Sequence, residues 1–182
     1  MVKTELKIKV FGDLVLRKKA KAVAQVTGQT RDTLSRMARL MYDASGIGLA
    51  APQVGISASL IVVDTGSGLY KLVNPRIAKR QGRQVLEEGC LSVPGVCIKV
   101  KRAKRVVVKA LDENGKSLTV EAEGLLACVF QHEIDHLKGK LIIDYASLID
   151  KIKIRRILAE LAERAENEKL PESEAKLCTL QL

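Results

Sequence analysis

Apolar residues recur at Leu34, Met37, Ala38 and Met41, the spacing of one helix face, so a helix is predicted from a cap at Thr30 to about Tyr42. Gly46-Ile47-Gly48 stops it. From Ala58 to about Ala122 the pattern changes to short β-branched runs: Ser59 to Asp64, Tyr70 to Val73, Val96 to Val100, Arg105 to Leu111 and Ser117 to Ala122. These read as strands. Asn114-Gly115 separates the last two and tolerates the positive φ angles of a hairpin turn, so this part of the sheet is predicted to be antiparallel. From Gly124 to Lys138 the residues Leu125, Leu126, Cys128, Val129 and Phe130 give a helix apolar nearly all round, hence buried, with Gly139 as its stop. A third helix, roughly Ser147 to Glu168, places Ile154, Ile157, Leu158, Leu161 and Ala165 along one stripe. Strand following strand without intervening helices disfavours a doubly wound sheet. The expectation is an α+β fold, antiparallel β-sheets packed around a central α-helix, with an N-terminal and a C-terminal helix.

With 182 residues, 47% hydrophobic and 29% charged, the chain can bury one core and is read as a single domain over residues 1–168, followed by a polar tail at 169–182. No apolar run approaches the roughly 20 residues of a membrane helix, and the N-terminus lacks the apolar stretch of a secretory signal, so a cytoplasmic protein without membrane contact is expected. The net charge of +10 concentrates in Arg17-Lys18-Lys19, Lys99 to Arg105 and Lys151 to Arg156. Such runs are usually solvated faces. With two Phe, three Tyr and no Trp there are no stacking platforms, so sequence-specific nucleic-acid binding is not expected, only salt-sensitive attraction to an RNA-rich assembly. Cys90, Cys97, Cys128 and Cys178 show no paired spacing, and disulfides are not expected. Cys97, Cys128 and Cys178 are read as small buried hydrophobes.

The two histidines of the chain are His132 and His136, four residues apart on the predicted buried helix, with Glu133 between. Four residues advance a helix by about 400° and about 6 Å, so both imidazoles can reach one metal ion. Glu133 is turned about 100° away and can reach water at that ion without ligating it. Two surface or core histidines are the bland alternative, disfavoured because the pair, Glu133 and Asp135 would lie buried among apolar neighbours without partners. A catalytic site needs a third ligand. Downstream, Glu160 and Glu163 are candidates on a separate helix; upstream, Cys90 follows Gly89, where the backbone can approach closely and a thiolate would bind a borderline cation strongly. Gly46 to Gly55 reads as a loop too glycine-rich for a core element, and its long polar side chain, Gln53, could stabilise an oxyanion beside a metal.

Three segments together, Gly46 to Gln53, Glu88 to Ser92 and Gln131 to Leu137, resemble the peptide deformylases in order and spacing, and Asp13 to Ala20 is similar to the family's opening. The resemblance covers about residues 8 to 145. It implies the α+β fold with a central metal-bearing helix, one catalytic domain, and removal of the formyl group from formyl-methionyl nascent peptides. By resemblance Cys90, His132 and His136 bind one divalent metal, Fe(II) in the native form, with Zn or another divalent ion able to occupy the site. Glu133 acts as general acid and base; Gln53 and the Leu91 backbone N–H hold the oxyanion. Ile47, Gly48 and Gly89 would contact the substrate main chain, and Ile47, Leu125, Cys128 and Val129 would line the methionine pocket. The chain departs from the family where many members carry an arginine, having Gly95-Val96-Cys97 after Ser92-Val93-Pro94. The basic Lys151 to Arg156 stretch is compatible with docking at the ribosome.

Overall fold

A computed structural model describes residues 5–167. Helix α1 (Gly28–Asp43) is followed by strands β1 (Gly48–Ala50), β2 (Leu60–Val63), β3 (Tyr70–Gln81), β4 (Gln84–Glu88), β5 (Ile98–Arg102), β6 (Arg105–Leu111) and β7 (Ser117–Glu123). Helices α2 (Gly124–His136) and α3 (Leu148–Asn167) complete the order. Five strands form one antiparallel sheet in the order β1-β2-β3-β6-β7, and β4 pairs with β5 in a second. This is the expected α+β arrangement, and none of the described helices is long and apolar enough to cross a membrane.

Alternation fixes which element each strand faces. Leu-Ile-Val-Val in β2 is buried on both sides: Leu60 and Val62 pack with Leu34, Met37 and Met41 of α1, while Ile61 and Val63 pack with Ala127, Val129 and Phe130 of α2. β6 and β7 turn Val106, Val108, Val120 and Ala122 toward α2 and leave their other faces to water. The α3 stripe behaves as its periodicity predicts: Ile154 and Leu161 are buried, with Ile157, Leu158 and Ala165 packed around them against Val10, Leu16, Ile98 and Leu141. α3 lies directly on the backbone at Gly12, where an added Cβ would stand 2.7 Å from the Ala162 Cα.

Several boundaries differ from expectation, each for a local reason. α1 is capped by Thr27, whose side chain accepts from the Thr30 N–H while Thr30 Oγ1 accepts from the Thr27 N–H, so Thr30 closes a capping box three residues inside the cap. β3 runs on past Val73 to Gln81 because Asn74, at φ +54°, and a register shift absorb Pro75, and the Asn74 amide is held by both backbone groups of Val23. β4 lacked an apolar run and escaped prediction. β5 begins at Ile98 rather than Val96. The segment around Gly48, expected to be too glycine-rich for the core, is edge strand β1 and a buried 3-10 turn over Ala51–Val54. Cys97 is exposed and disulfide-bonded, which corrects both expectations made for it; Cys178, Glu168 and the tail boundary lie outside the described residues.

Candidate metal centre

α2 carries the candidate site and, among the described helices, packs on the face of the large sheet opposite α1. Gly124 enters it at φ +61°, and Gln131 ties its middle to the β5–β6 turn by donating to the Ala103 carbonyl and accepting from the Ala103 N–H, both at 3.0 Å. Gly139, at φ +73°, ends the following turn against the Arg17 carbonyl, where no Cβ would fit. Leu125, Cys128, Val129, His132, Glu133 and His136 therefore share one stripe of α2, three and four residues apart.

His132 and His136 turn their Nε2 atoms toward each other at 3.1 Å, and Cys90 Sγ lies 3.3 Å from the His136 Nε2. All three donor atoms fall within 4.8 Å of one another, and all three residues are buried. Donors bonded at roughly 2.0–2.3 Å to one ion sit about 3–4 Å apart, so the spacing fits a shared metal. The chemistry fits too. Glu88 takes the His132 Nδ1–H at 3.0 Å, which fixes the tautomer and leaves the Nε2 lone pair facing the cluster. Burial, joined by the nearby Glu133 charge, pushes the Cys90 thiol up to about 12, and burial holds the His136 imidazolium well below its ordinary range. A cation among them would reverse the first tendency and profit from the second.

Among the described residues this is the grouping of His, Cys and acidic side chains whose donor atoms converge. Glu160 and Glu163 do not join it; Glu160 is half-exposed on α3 and pairs with Arg156 at 3.0 Å.

Glu133 is fully buried beside His132, and neither carboxylate oxygen has a hydrogen-bond partner among the described residues. Burial raises its carboxyl well above the ordinary range, and the Glu88 charge adds to that. Gly48 of β1 floors this carboxylate: a Cβ there would strike Glu133 Oε1 and stand 2.9 Å from Val129 Cγ1. Gln53, also fully buried, accepts from the Ala50 N–H at 2.7 Å, and this orients its Nε2 to donate to Cys90 Sγ at 3.7 Å. Leu91 follows Cys90 and packs its side chain against Gly46, so the Gly46 to Gly48 segment and the Gly89 to Leu91 segment meet at the cluster. Ile47 and Leu125 are half-buried in the core that holds α2; Val129 and Gly89 are buried. Cys128 is buried on the same stripe, and its thiol donates to Glu88 Oε1 at 3.1 Å.

Sequence reasoning missed the charged residues behind His132. Arg102 belongs to the basic run Lys99 to Arg105, which reads as a solvated face, yet it is 6% exposed and forks onto both oxygens of Glu88 at 2.7 and 2.8 Å. Its remaining Nη1 reaches Asp135 Oδ2, and Tyr145 donates to the same oxygen at 2.6 Å with its ring 4.9 Å from the guanidinium. Burial alone would raise the Glu88 carboxyl, but hydrogen bonds from Arg102 and His132 outweigh it and hold Glu88 down at about 2. The missed signal was the period of two in Ile98-Lys99-Val100-Lys101-Arg102, which puts Arg102 on the inward face with Ile98 and Val100.

Comparison with known proteins places these features in a lineage. A model of the family described as "Polypeptide deformylase" matches residues 5–152. The peptide deformylase of Halothermothrix orenii is 54% identical over 141 residues, covering 76% of this chain and 92% of that protein. That of Thermodesulfovibrio yellowstonii is 47% identical over 156 residues, covering 83% and 94%. The crystal structure of a peptide deformylase from Legionella pneumophila superposes with a TM-score of 0.82 at 43% identity, covering 91% of this chain and 99% of that one.

Proposed function

The chain belongs to the peptide deformylase family, hydrolases that remove the formyl group from the N-terminus of newly made polypeptides, and on that premise we propose how its own residues perform the reaction. The family is metal-dependent, and Cys90, His132 and His136 are the group that could hold the ion. We assign Fe(II) as the native ion, with Zn or another divalent ion able to replace it, because one thiolate and two imidazoles suit borderline divalent cations. Bound there, the cation would polarise the formyl carbonyl and acidify water at neutral pH.

Glu133 takes the proton of the attacking water and delivers it to the departing amine, so that formate and a free N-terminus result. Its raised affinity for protons suits a group that must both accept and return one. Gln53 Nε2–H and the Leu91 backbone N–H donate to the carbonyl oxygen as it becomes negative. The substrate main chain lies as an added strand between Ile47-Gly48 and the Gly89 to Leu91 segment, beside the outer edge of β1. Ile47, Leu125, Cys128 and Val129 line the methionine pocket. We read residues 1–168 as one catalytic domain, since α3 shares a core with β5. The nascent-chain substrate supports a cytoplasmic location, and the exposed basic residues of α3 from Lys151 to Arg156 support docking at the ribosome.

The observation that carries this reading is the buried, partnerless Glu133 carboxylate beside three converging metal donors. Metal analysis under anaerobic conditions, paired with formate release from a formyl-Met peptide, tests it. Wild-type protein is expected to bind one ion and turn over, and Cys90→Ala to lose both. A Cys90→Ala protein that keeps metal and turnover would overturn the ligand assignment.

A further inference from the structure

Glu88 accepts four hydrogen bonds, two at each oxygen. Oε1 takes the Arg102 Nε–H at 2.7 Å and the Cys128 thiol at 3.1 Å; Oε2 takes the Arg102 Nη2–H at 2.8 Å and the His132 Nδ1–H at 3.0 Å. That fills the acceptor capacity of an ionised carboxylate. Arg102 alone fixes the carboxylate plane through its bidentate fork, so the thiol adds little to orientation. What it adds is competition for charge. Each donor to a shared carboxylate draws on the same negative charge, and in a site with Glu88 and Cys128 both 0% exposed no water compensates when one is removed.

We propose that Cys128 is a positioning residue that tunes His132: by donating to Glu88 Oε1 it weakens the Glu88 to His132 hydrogen bond and keeps that imidazole a moderate ligand. The inference rests on the metal reading of Cys90, His132 and His136. A histidine whose Nδ1–H is held more tightly becomes a stronger donor through Nε2, and a better-neutralised ion polarises a carbonyl less. Cys128 lies on the α2 stripe one turn before His132, where it touches neither the donor cluster nor Glu133 by any hydrogen bond; besides Glu88, its thiol meets the Arg102 guanidinium.

The test uses zinc-loaded full-length protein with ¹⁵N-labelled histidine, which is simple to assign because the chain has two histidines. Cys128→Val removes the donor without leaving a cavity, Cys128→Ala removes both donor and bulk, and Cys128→Ser keeps a donor. The His132 Nδ1 proton resonance is expected to move downfield in the Val and Ala variants and not in Ser. Zinc release into a chelator is expected to slow about threefold in Val and Ala, short of the roughly 10–100-fold effects of direct ligand partners, and not to slow in Ser. Val and Ala variants indistinguishable from wild type, a Ser variant that moves as far as Val, or Val and Ala variants that both fail to fold would each overturn the proposal. Wild-type protein that takes up no zinc would instead overturn the metal reading on which it stands.

Discussion

The two flanks of the Cys90, His132 and His136 cluster bury carboxylates to the same depth and treat them in opposite ways. On one flank Glu88 is met by Arg102, His132 and Cys128, and Arg102 in turn is braced by Asp135 and the Tyr145 ring. On the other, Glu133 is 0% exposed with both oxygens unpartnered, walled by Gly48 and Val129. An unpaired buried acid is costly, and nothing in the packing requires one there. On the proposed reading, the paired flank would hold a ligand still, while the unpaired flank would keep a proton acceptor available for chemistry.

The sharpest way to separate the flanks is to neutralise the lone acid. Glu133→Gln should cut formate release by about 10²–10⁴-fold, the usual contribution of a general acid–base group, while metal content and thermal stability stay at wild-type levels. A variant that loses its metal as well would show that Glu133 serves structure. Breaking the paired flank should give the reverse pattern. Arg102→Leu leaves Glu88 buried and Asp135 part-buried without their cation and should cost about 3–5 kcal/mol in chemical denaturation, with metal lost alongside. Unchanged stability would dissolve the contrast.

A milder probe is Gly48→Ala, whose methyl must displace the Glu133 carboxylate or the strand. Turnover should fall by up to about 100-fold, since a misplacement of about 1 Å can cost that much, in a protein that still folds and binds metal. Equal turnover would mean that Glu133 need not stand where it does. The smallest effect is expected for Tyr145→Phe, which removes a donor to Asp135 and keeps the ring over Arg102. A loss of about 0.5–1.5 kcal/mol in stability with near-normal turnover is the expected outcome, read by denaturation and formate release together.

What the amino-acid order revealed depends on how local each interaction is. The His132, Glu133 and His136 spacing and the α3 stripe of Ile154, Ile157, Leu158 and Leu161 follow from the helical period, and both were legible. The convergence of Cys90 on the imidazoles spans more than forty residues, yet it could be anticipated from the missing third donor and the neighbouring Gly89. Arg102 could not be placed so easily. Its partners come from β4 and α2, and only the register of β5 turns it inward from between lysines that face water. β4 was hidden because Gln84-Val85-Leu86-Glu87-Glu88 half faces solvent, and β3 because Asn74-Pro75 imitates a strand end while a bulge carries the chain through. Gly48 illustrates the same limit: its smallness reads as looseness until the acid lying above it is seen.

Strand β1 is only three residues long and closes one side of its sheet, with β2 as its single neighbour among the described residues. A border of that kind presents amide and carbonyl groups at fixed intervals and says nothing about which side chains a visitor should carry. A guest zipped onto it, as proposed, would be recognised by being extended and by the group at its tip, a rule suited to a catalyst whose clientele is every polypeptide that begins the same way and then differs.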